Sequence, residues 1–307
     1  MDLKRLAVLL EFARLGSMSA VADVMQTRVS TVSQQIATLS REVGVPLIEP
    51  DGRGVRLTAE GRRLADHAVT ILAAVEAARA ELNPDAEPAG LLRIAGYASA
   101  LRRVVVPLLT RLAATNPALT MAVHELEPGE ASEWLVANRI DLALVYDYNL
   151  APERVDPAFA VEPLWETDWG LAVPATQSLD PGLTAVEVFA HHRDRDWIGN
   201  PRNSREETVL RVVAAMAGFE PRITHYADSL DLVDDLVRSG AGVGLLPMAR
   251  RLREGITLIP LRHPSVTMRT FAWVKKGRQS WPPLRLALTE LQRASYFTEP
   301  LIRPLMK

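Results

Sequence analysis

The chain has 307 residues, of which 48% are hydrophobic and 6% aromatic, as is typical of a globular protein large enough for two or three domains. Its formal net charge of −2 gives no overall attraction to nucleic acid, and its lack of cysteine excludes disulfides, thiolate catalysis and cysteine-ligated metals. No apolar run approaches the roughly 18 residues of a membrane span, and the N-terminus lacks a secretion signal, so we expect a cytoplasmic protein without membrane contact.

The first part of the chain predicts three short helices. Apolar spacing predicts a helix over residues 3–15 that ends at Gly16, and Ser19 is expected to cap the next one. A tight turn at Met25–Arg28 then precedes a third helix with two distinct arcs. Its apolar arc consists of Val29, Val32, Ile36 and Leu39. Its polar arc, which is short-chained and free of acids, consists of Ser30, Gln34, Thr38 and Arg41.

A β-hairpin is predicted after the third helix. Val45, Leu47 and Ile48 favour a first strand, 51–54 is a turn, and 55–57 favours a returning strand. A helix, a helix-turn-helix and a hairpin in this order indicate a winged helix-turn-helix over residues 1–57.

Residues 58–82 predict one long helix capped by Thr58. Its apolar residues follow a heptad seam, which consists of Leu64, Ala68, Ile71, Val75, Ala78 and Leu82. So narrow a stripe needs a partner, and a second copy of the chain is the simplest one. The alternative is packing on the chain's own globular part. Residues 83–90 are rich in helix breakers and indicate a hinge.

From residue 91 onward, strands and helices alternate, which predicts an α/β fold with parallel strands. A helix over 99–114 has Pro107 inside it or at the start of its second part, and 159–174 predicts two extended runs. Ser204 and Glu207 form a capping box ahead of a further helix. We expect two lobes, residues 91–163 plus 268–307 and residues 164–267, with a ligand cleft between them.

The polar arc of the third helix suits a DNA major groove, because short side chains without acids can approach base edges. Gln34 or Gln35 is expected to pair with adenine, and the hairpin arginines to reach phosphate or the minor groove. A solvated hairpin is the alternative for those arginines. The predicted DNA-binding residues are Arg28, Val29, Ser30, Thr31, Ser33, Gln34, Gln35, Arg53 and Arg56.

The cleft is predicted to bind a small-molecule effector at the carboxyl ends of strands. Two helix N-termini, at 97–99 and 200–204, favour a small anion such as a carboxylate, although Glu127 and Asp147 disfavour one. The predicted effector-binding residues are Tyr97, Ala98, Ser99, Glu127, Asp147, Asn200, Pro201, Arg202, Asn203, Ser204 and Tyr226.

The sequence contains no motif that supports an enzymatic function. Gly240–Gly244 lies between a helix and the following strand, the reverse of the order in a nucleotide-binding loop. There is no G-x-S-x-G elbow, and His191–His192 sits in a charged loop without spaced ligands. We therefore expect no catalysis, no cofactor and no metal.

Residues 1–61 resemble the LysR-type transcriptional regulators. The resemblance rests on Gly16–Ala22, Val32–Ile36 with Leu39, Glu42–Leu47 and Gly52–Gly61. The later part resembles the effector domain of this family more loosely, through Asn116-Pro117, Asp141–Leu144 and Gly242–Pro247. The resemblance implies a winged-helix DNA reader, a dimerising linker helix and a periplasmic-binding-protein-like sensor. It also implies a homotetramer, commonly assembled as a dimer of dimers, on an interrupted inverted repeat near a promoter. RNA polymerase is a further candidate partner.

The chain departs from the family pattern inside the recognition helix. The family usually has Ser-x-Pro where this chain has 28–30, and arginines where it has Gln34, Ala37 and Thr38. Pro50 also replaces a typical arginine. Because each missing phosphate interaction weakens affinity, a small-molecule binding protein with weakened DNA binding is the alternative to an effector-responsive transcription factor.

Overall fold

The computed structural model describes residues 1–52, 54–83, 87–175, 182–202, 204–297 and 302–304. The chain divides into two compact units. Unit 1 comprises Met1–Leu144, Pro157–Val161 and Trp273–Glu290. Unit 2 comprises Val145–Asp156, Glu162–Ala272 and Leu291–Lys307. The functional domain boundaries expected from the sequence remain a prediction.

Unit 1 begins with the three expected helices, α1 (Leu3–Leu15), α2 (Met18–Val24) and α3 (Val29–Val43). Gly16 ends α1 in the left-handed conformation, with φ 66°, which a residue with a side chain adopts less readily. The predicted cap at Ser19 is wrong, because Ser17 precedes α2 and its Oγ accepts a hydrogen bond from the Ala20 backbone at 3.4 Å. Both serines suit a cap chemically, and the course of the backbone selects the earlier one.

The hairpin after α3 consists of β1 (Ile48–Asp51) and β2 (Gly54–Leu57), which pair antiparallel. The predicted first strand started too early, since Val45 and Leu47 precede β1. Leu47 is 1% exposed, and its carbonyl lies so close to Gly61 that a Cβ there would come within 2.1 Å of it. Asp51 and Gly54 pair with each other as strand residues, and Arg53 lies outside the described residues.

The long helix is α4 (Ala59–Leu82), and Thr58 caps it as expected. The Thr58 hydroxyl accepts a hydrogen bond from the Gly61 backbone at 2.9 Å and donates one to the Pro46 carbonyl at 2.8 Å. The side of α4 that the chain itself buries consists of Ala65, Ala68, Val69 and Ala73. Leu82, at the other end of the seam, is 88% exposed. The first turns of α4 therefore pack on their own chain.

Three strands of unit 1 pair in parallel, as predicted. The central strand β3 (Gly90–Gly96) lies between β4 (Leu119–Glu125) and β5 (Leu142–Tyr148). The intervening helices are α5 (Ala98–Ala100), α6 (Val106–Thr115) and α7 (Pro128–Val136). A π-helical turn, Leu101–Val105, joins α5 to α6 without a break, and Pro107 is the second residue of α6. Pro107 therefore lies inside one continuous helical run, where it donates no backbone hydrogen bond.

Unit 2 combines parallel and antiparallel strands. In the parallel part, β7 (Asp196–Gly199) lies between β8 (Arg222–Tyr226) and β9 (Val243–Pro247). The single strand β6 (Phe159–Pro174) replaces the two runs expected over 159–174, and it pairs antiparallel with β9. The α/β fold class is confirmed, but this antiparallel strand was not predicted.

The remaining elements complete both units. Two edge strands, β10 (Ile256–Pro260) and β12 (Ile302–Pro304), also pair antiparallel with β6, and β11 (Val266–Lys275) contributes residues to both units. The other helices are α8 (Ala185–His191), α9 (Ser204–Met216), α10 (Leu230–Arg238) and α11 (Pro282–Phe297). Ser204 is the first residue of α9 rather than its preceding cap. Within the described ranges, no helix is both long and apolar enough to cross a bilayer.

His192 is a buried titratable group at the end of α8. Its ring is 1% exposed, and its Nδ1 lies 2.8 Å from the Val188 carbonyl, to which a neutral ring can donate. Burial lowers the pKa of His192, because the apolar surroundings disfavour the charged form, and His191 and Arg195 lower it further. The predicted charged loop is therefore wrong here, since His191 is the last residue of α8 and His192 is its C-cap.

We expect His192 to make the free energy of unfolding depend on pH. A depressed folded-state pKa means that the unfolded chain binds a proton first, so stability is lost as pH falls below about 6.5. At pH 5.5 the loss from this group is at most about 1.4 kcal/mol. Urea unfolding of His192→Phe should show a smaller decrease between pH 7.5 and 5.5. The control His67→Gln, at an exposed residue, should lose as much free energy of unfolding over this pH range as the parent. An equal loss in His192→Phe would contradict the role assigned to His192.

Candidate nucleic-acid interface and effector site

The third helix has one buried and one exposed face. Val32, Ile36 and Leu39 are each 0% exposed, while Ser30, Ser33 and Gln34 lie on the surface. Val29 belongs to the apolar arc predicted from the sequence, but its side chain is not buried with the rest of that arc: it is 46% exposed. It begins the helix, ahead of the turn that packs, so its methyl groups are free to meet an apolar surface such as a thymine methyl.

The N-terminus of α3 favours negatively charged groups. Arg28 occupies the N-cap position, its side chain makes no capping hydrogen bond, and the first turn contains no acid. Backbone N–H groups at a helix start carry partial positive charge and bind phosphate oxygens. Arg28 is exposed and Thr31 half-buried. This end of α3 therefore combines phosphate-binding potential with side chains short enough for base edges.

The two adjacent glutamines of α3 have different surroundings. Gln35 is half-buried, and its Oε1 accepts a hydrogen bond from Arg5 Nε of α1 at 3.2 Å. Arg5 also pairs with Glu42 near the end of α3. Gln35 is thus engaged with α1, and Gln34 is the glutamine with an exposed side chain. Sequence spacing alone did not distinguish them.

The hairpin presents one described arginine. Arg56 Nε lies 2.9 Å from Glu49 Oε1 across the hairpin, with side chains 60% and 43% exposed. An exposed pair of this kind contributes at most about 1 kcal/mol, so a phosphate can compete for the guanidinium. The other predicted hairpin arginine, Arg53, lies outside the described residues.

In unit 1, the predicted effector residues lie at the carboxyl edge of the sheet. Tyr97, Ala98 and Ser99 follow β3, and Glu127 follows β4. These strand ends adjoin each other, since the Leu126 backbone donates a hydrogen bond to the Gly96 carbonyl at 3.0 Å. The surroundings of the four differ: Tyr97 is 6% exposed, Ala98 is exposed, and Ser99 and Glu127 are half-buried.

In unit 2, a second group of predicted residues lies at the carboxyl edge of β7 and β8. The backbone of Arg202 donates a hydrogen bond to Asn200 Oδ1 at 3.0 Å, and its guanidinium lies 3.6 Å from Asp228. Pro201 and Ser204 are exposed, and Tyr226, at the end of β8, is 52% exposed. Asn203 lies outside the described residues. The structure thus brings this group together around one loop.

Asp147, which was predicted to contact the effector, is buried and paired with an arginine of its own chain. Its carboxylate is paired at both oxygens with Arg269 of β11, at 2.8 Å each, and it also accepts from the Glu153 backbone at 2.9 Å. Burial raises the pKa of Asp147, and the hydrogen bonds and charge of Arg269 oppose that change. Glu153 in turn pairs with Arg205. Sequence reasoning missed Arg269, which lies far away along the chain and carries no local motif.

In the part of the chain that the structure describes, no group of three or more His, Asp or Glu side chains is arranged to hold a metal ion.

Two family models match the chain. Residues 3–62 match the bacterial regulatory helix-turn-helix protein of the lysR family, and residues 85–295 match the LysR substrate binding domain. The matched ranges coincide with the winged-helix region and with the α/β region described above.

Characterised relatives match over most of their length. The transcriptional dual regulator GltC of Bacillus subtilis is 28% identical over 294 residues, covering 92% of this chain and 93% of the relative. The nitrogen assimilation regulatory protein nac of Klebsiella aerogenes is 27% identical over 249 residues, covering 80% of this chain and 78% of the relative.

Solved structures share the fold. A full-length OxyR variant from Pseudomonas aeruginosa superposes with a TM-score of 0.75 at 17% identity, covering 100% of this chain and 98% of that one. Full-length CbnR in complex with its target DNA superposes with a TM-score of 0.51 at 23% identity, covering 96% of this chain and 99% of that one. Together with the two family models, which span most of the sequence, these matches confirm the resemblance: the chain belongs to the LysR family of transcriptional regulators.

Proposed function

We propose that the chain is an effector-responsive transcription factor that reads an interrupted inverted repeat near a promoter through the exposed face of α3. The observation that carries the proposal is the division of α3 into a fully buried apolar face and an exposed, acid-free face of short side chains. In this arrangement Val29, Ser30, Ser33 and Gln34 contact base edges. The backbone contacts come from the start of α3 and from the hairpin.

Phosphate contacts are assigned to Arg28 and Arg56, with Thr31 and Arg53 as further DNA-binding candidates. Arg28 adds a guanidinium to the positive end of α3, and Arg56 can exchange its exposed partner Glu49 for a phosphate. Gln35 supports the reading surface through Arg5 instead of pairing with a base. Base discrimination therefore depends chiefly on Gln34 and its exposed neighbours.

We expect Gln34→Ala to reduce discrimination for the preferred duplex by about 1–3 kcal/mol, roughly 5- to 150-fold, because an amide can pair with adenine through two hydrogen bonds. The preferred sequence is first selected from a random duplex library with the parent protein. Affinities for that sequence and for a scrambled one are then compared by fluorescence anisotropy at a fixed salt concentration.

The matched control is Gln35→Ala, which removes the same side chain from the neighbouring position. It should retain most of the discrimination, because the Gln35 amide is engaged with Arg5. Failure to enrich any sequence with the parent protein would favour the alternative, a small-molecule binding protein with weakened DNA binding. Equal losses in the two variants would contradict the separate roles of the glutamines.

The second part of the proposal concerns the effector. We assign effector contacts to Tyr97, Ala98, Ser99 and Glu127 at the edge of unit 1. In unit 2 we assign them to the loop 200–204 and Tyr226. Hydroxyl, amide and guanidinium donors dominate these groups, which supports a small carboxylate as the ligand. Asp147 holds Arg269 in the structure, so its part in effector binding is indirect.

We expect a panel of small mono- and dicarboxylates to contain compounds that raise the melting temperature of the protein. A ligand at a hundredfold excess over its Kd adds about 2.7 kcal/mol, which corresponds to roughly 4 °C for a chain of this size. Ser99→Ala should weaken the shift, whereas Thr110→Ala, an exposed hydroxyl on α6, should leave it intact. A panel without any stabilising compound would count against an anionic effector.

Self-association through α4 is the third part of the proposal. On the predicted seam the chain itself fully buries Ala68. The rest is less covered: Leu64, Ile71 and Val75 are half-buried, Ala78 is exposed and Leu82 is 88% exposed. The second half of α4 therefore offers an apolar stripe to a second copy. A dimer built this way holds two α3 helices at a fixed separation, as an inverted repeat requires.

We expect Val75→Lys to shift the protein towards monomer, because a lysine in the apolar seam is desolvated without a partner. The control Ala74→Lys places the same charge on the neighbouring, exposed position and should leave the dimer intact. Light scattering across a dilution series measures the dimer dissociation constant of each variant. We expect the constant of Val75→Lys to exceed that of Ala74→Lys tenfold or more. Two unchanged constants would exclude the seam as the interface.

The same assignment places the protein in the cytoplasm with promoter DNA, makes RNA polymerase a candidate partner and gives the protein no catalytic role. These are parts of the proposal that follow from transcription regulation as the function.

A further inference from the structure

A buried carboxylate connects α1 to the sheet of unit 1. Asp141 directly precedes β5, and its side chain is 1% exposed. Its Oδ1 accepts hydrogen bonds from Arg14 Nη2 of α1 and from Arg278 Nη2, each at 3.0 Å. One oxygen atom thus joins a residue of the winged-helix head (residues 1–57) to a residue of the following α/β region, 137 positions away from Asp141.

The second oxygen of the same carboxylate faces the sheet. Asp141 Oδ2 accepts a hydrogen bond from the Arg93 backbone at 2.9 Å and lies 3.9 Å from Arg93 Nη1. On the head side, Glu11 pairs with Arg14 at 2.8 Å. Three guanidiniums and two carboxylates are therefore gathered at one point. Such a cluster is costly to desolvate and gives little net stability, but its directional bonds can fix a geometry that an apolar contact leaves open.

A second contact joins α4 to the same region. Asp66 Oδ1 of α4 accepts hydrogen bonds from Lys275 Nζ at 2.7 Å and from Asn138 Nδ2 at 3.3 Å. Near it, Gly277 has a positive φ of 81°, and a Cβ there would come within 2.7 Å of the Thr70 side chain. The loop before α11 thus approaches α4 as closely as glycine allows.

We propose that Asp141 is a positioning residue that docks the winged-helix head on the α/β region of its own chain through Arg14, with Asp66–Lys275 as a second tether. The docked head has one orientation, so the direction in which the exposed face of α3 points is set by the region that carries the effector residues of unit 1. This inference goes beyond the proposed function, because the docking requires neither DNA nor an effector.

The charges of the cluster allow the docking to be tested without unfolding the sheet. If Arg14 is removed, Asp141 keeps Arg278 and both contacts from Arg93. The variant Glu11→Gln/Arg14→Leu removes one charge of each sign from α1 and leaves the sheet side paired. Its matched control is Glu76→Gln/Arg79→Leu, an ion pair with the same spacing and a distance of 2.7 Å, exposed on α4.

The measurement is a distance between the head and the α/β region. Because the sequence contains no cysteine, Ser19→Cys on α2 and Ala114→Cys on α6, both exposed, give two specific spin-labelling sites. Labelled chains are diluted with unlabelled protein, so that double electron–electron resonance spectroscopy reports the distance between the two labels of one chain. We expect a single narrow distribution in the parent and the control, and a broad distribution with added longer distances in Glu11→Gln/Arg14→Leu.

A charge exchange at the second tether provides an independent arm if the first variant fails to fold. Lys275→Asp faces Asp66 with a like charge and should broaden the distribution, whereas Asp66→Lys/Lys275→Asp should narrow it again. Rescue by the exchanged pair is an effect that a general loss of stability does not produce. A broad distribution in the parent, or unchanged distributions in all variants, would overturn the proposal whether or not the chain reads DNA through α3.

Discussion

The burial of one face of α3 is the constraint on which the proposed DNA-reading geometry depends. Val32, Ile36 and Leu39 are fully buried, and each large aliphatic side chain contributes about 1.5–3 kcal/mol when it leaves water. A rotation of α3 by one residue would expose part of this face and bury an amide such as Gln34 without a partner. Since the helical period is fixed, the apolar residues also determine which polar residues face outward.

Local pattern was sufficient for most of the fold. The ends of α1 and α4 and the parallel order of β3 with β4 and β5 follow from spacing, caps and breakers. The errors arose where two local choices were chemically equal. Ser17 and Ser19 are both good caps, and only the path of the backbone selects Ser17. Leu47 suits a strand as well as the buried site that it occupies beneath Gly61.

The sequence predicted at which strand ends the candidate site residues lie, but it did not predict which side chains they pair with. The segments after β3 and β4 lie at neighbouring strand ends, as do the segments after β7 and β8, and whether a ligand binds there stays a prediction. Nothing in a local window, however, pairs Asp147 with Arg269 or Gln35 with Arg5. Such contacts depend on which segments the completed fold places side by side, and they decide whether a polar side chain is held internally or exposed.

Internal pairing also explains how a nearly neutral chain can read DNA. In the winged-helix head, Arg5 pairs with Glu42, and Arg14 pairs with Glu11 and Asp141. Arginines that hold the fold together neutralise few phosphates, and the salt dependence of binding falls by about one unit for each phosphate that is not neutralised. In the proposed function, recognition then depends more on base contacts from the exposed face of α3 and on its helix N-terminus than on net charge.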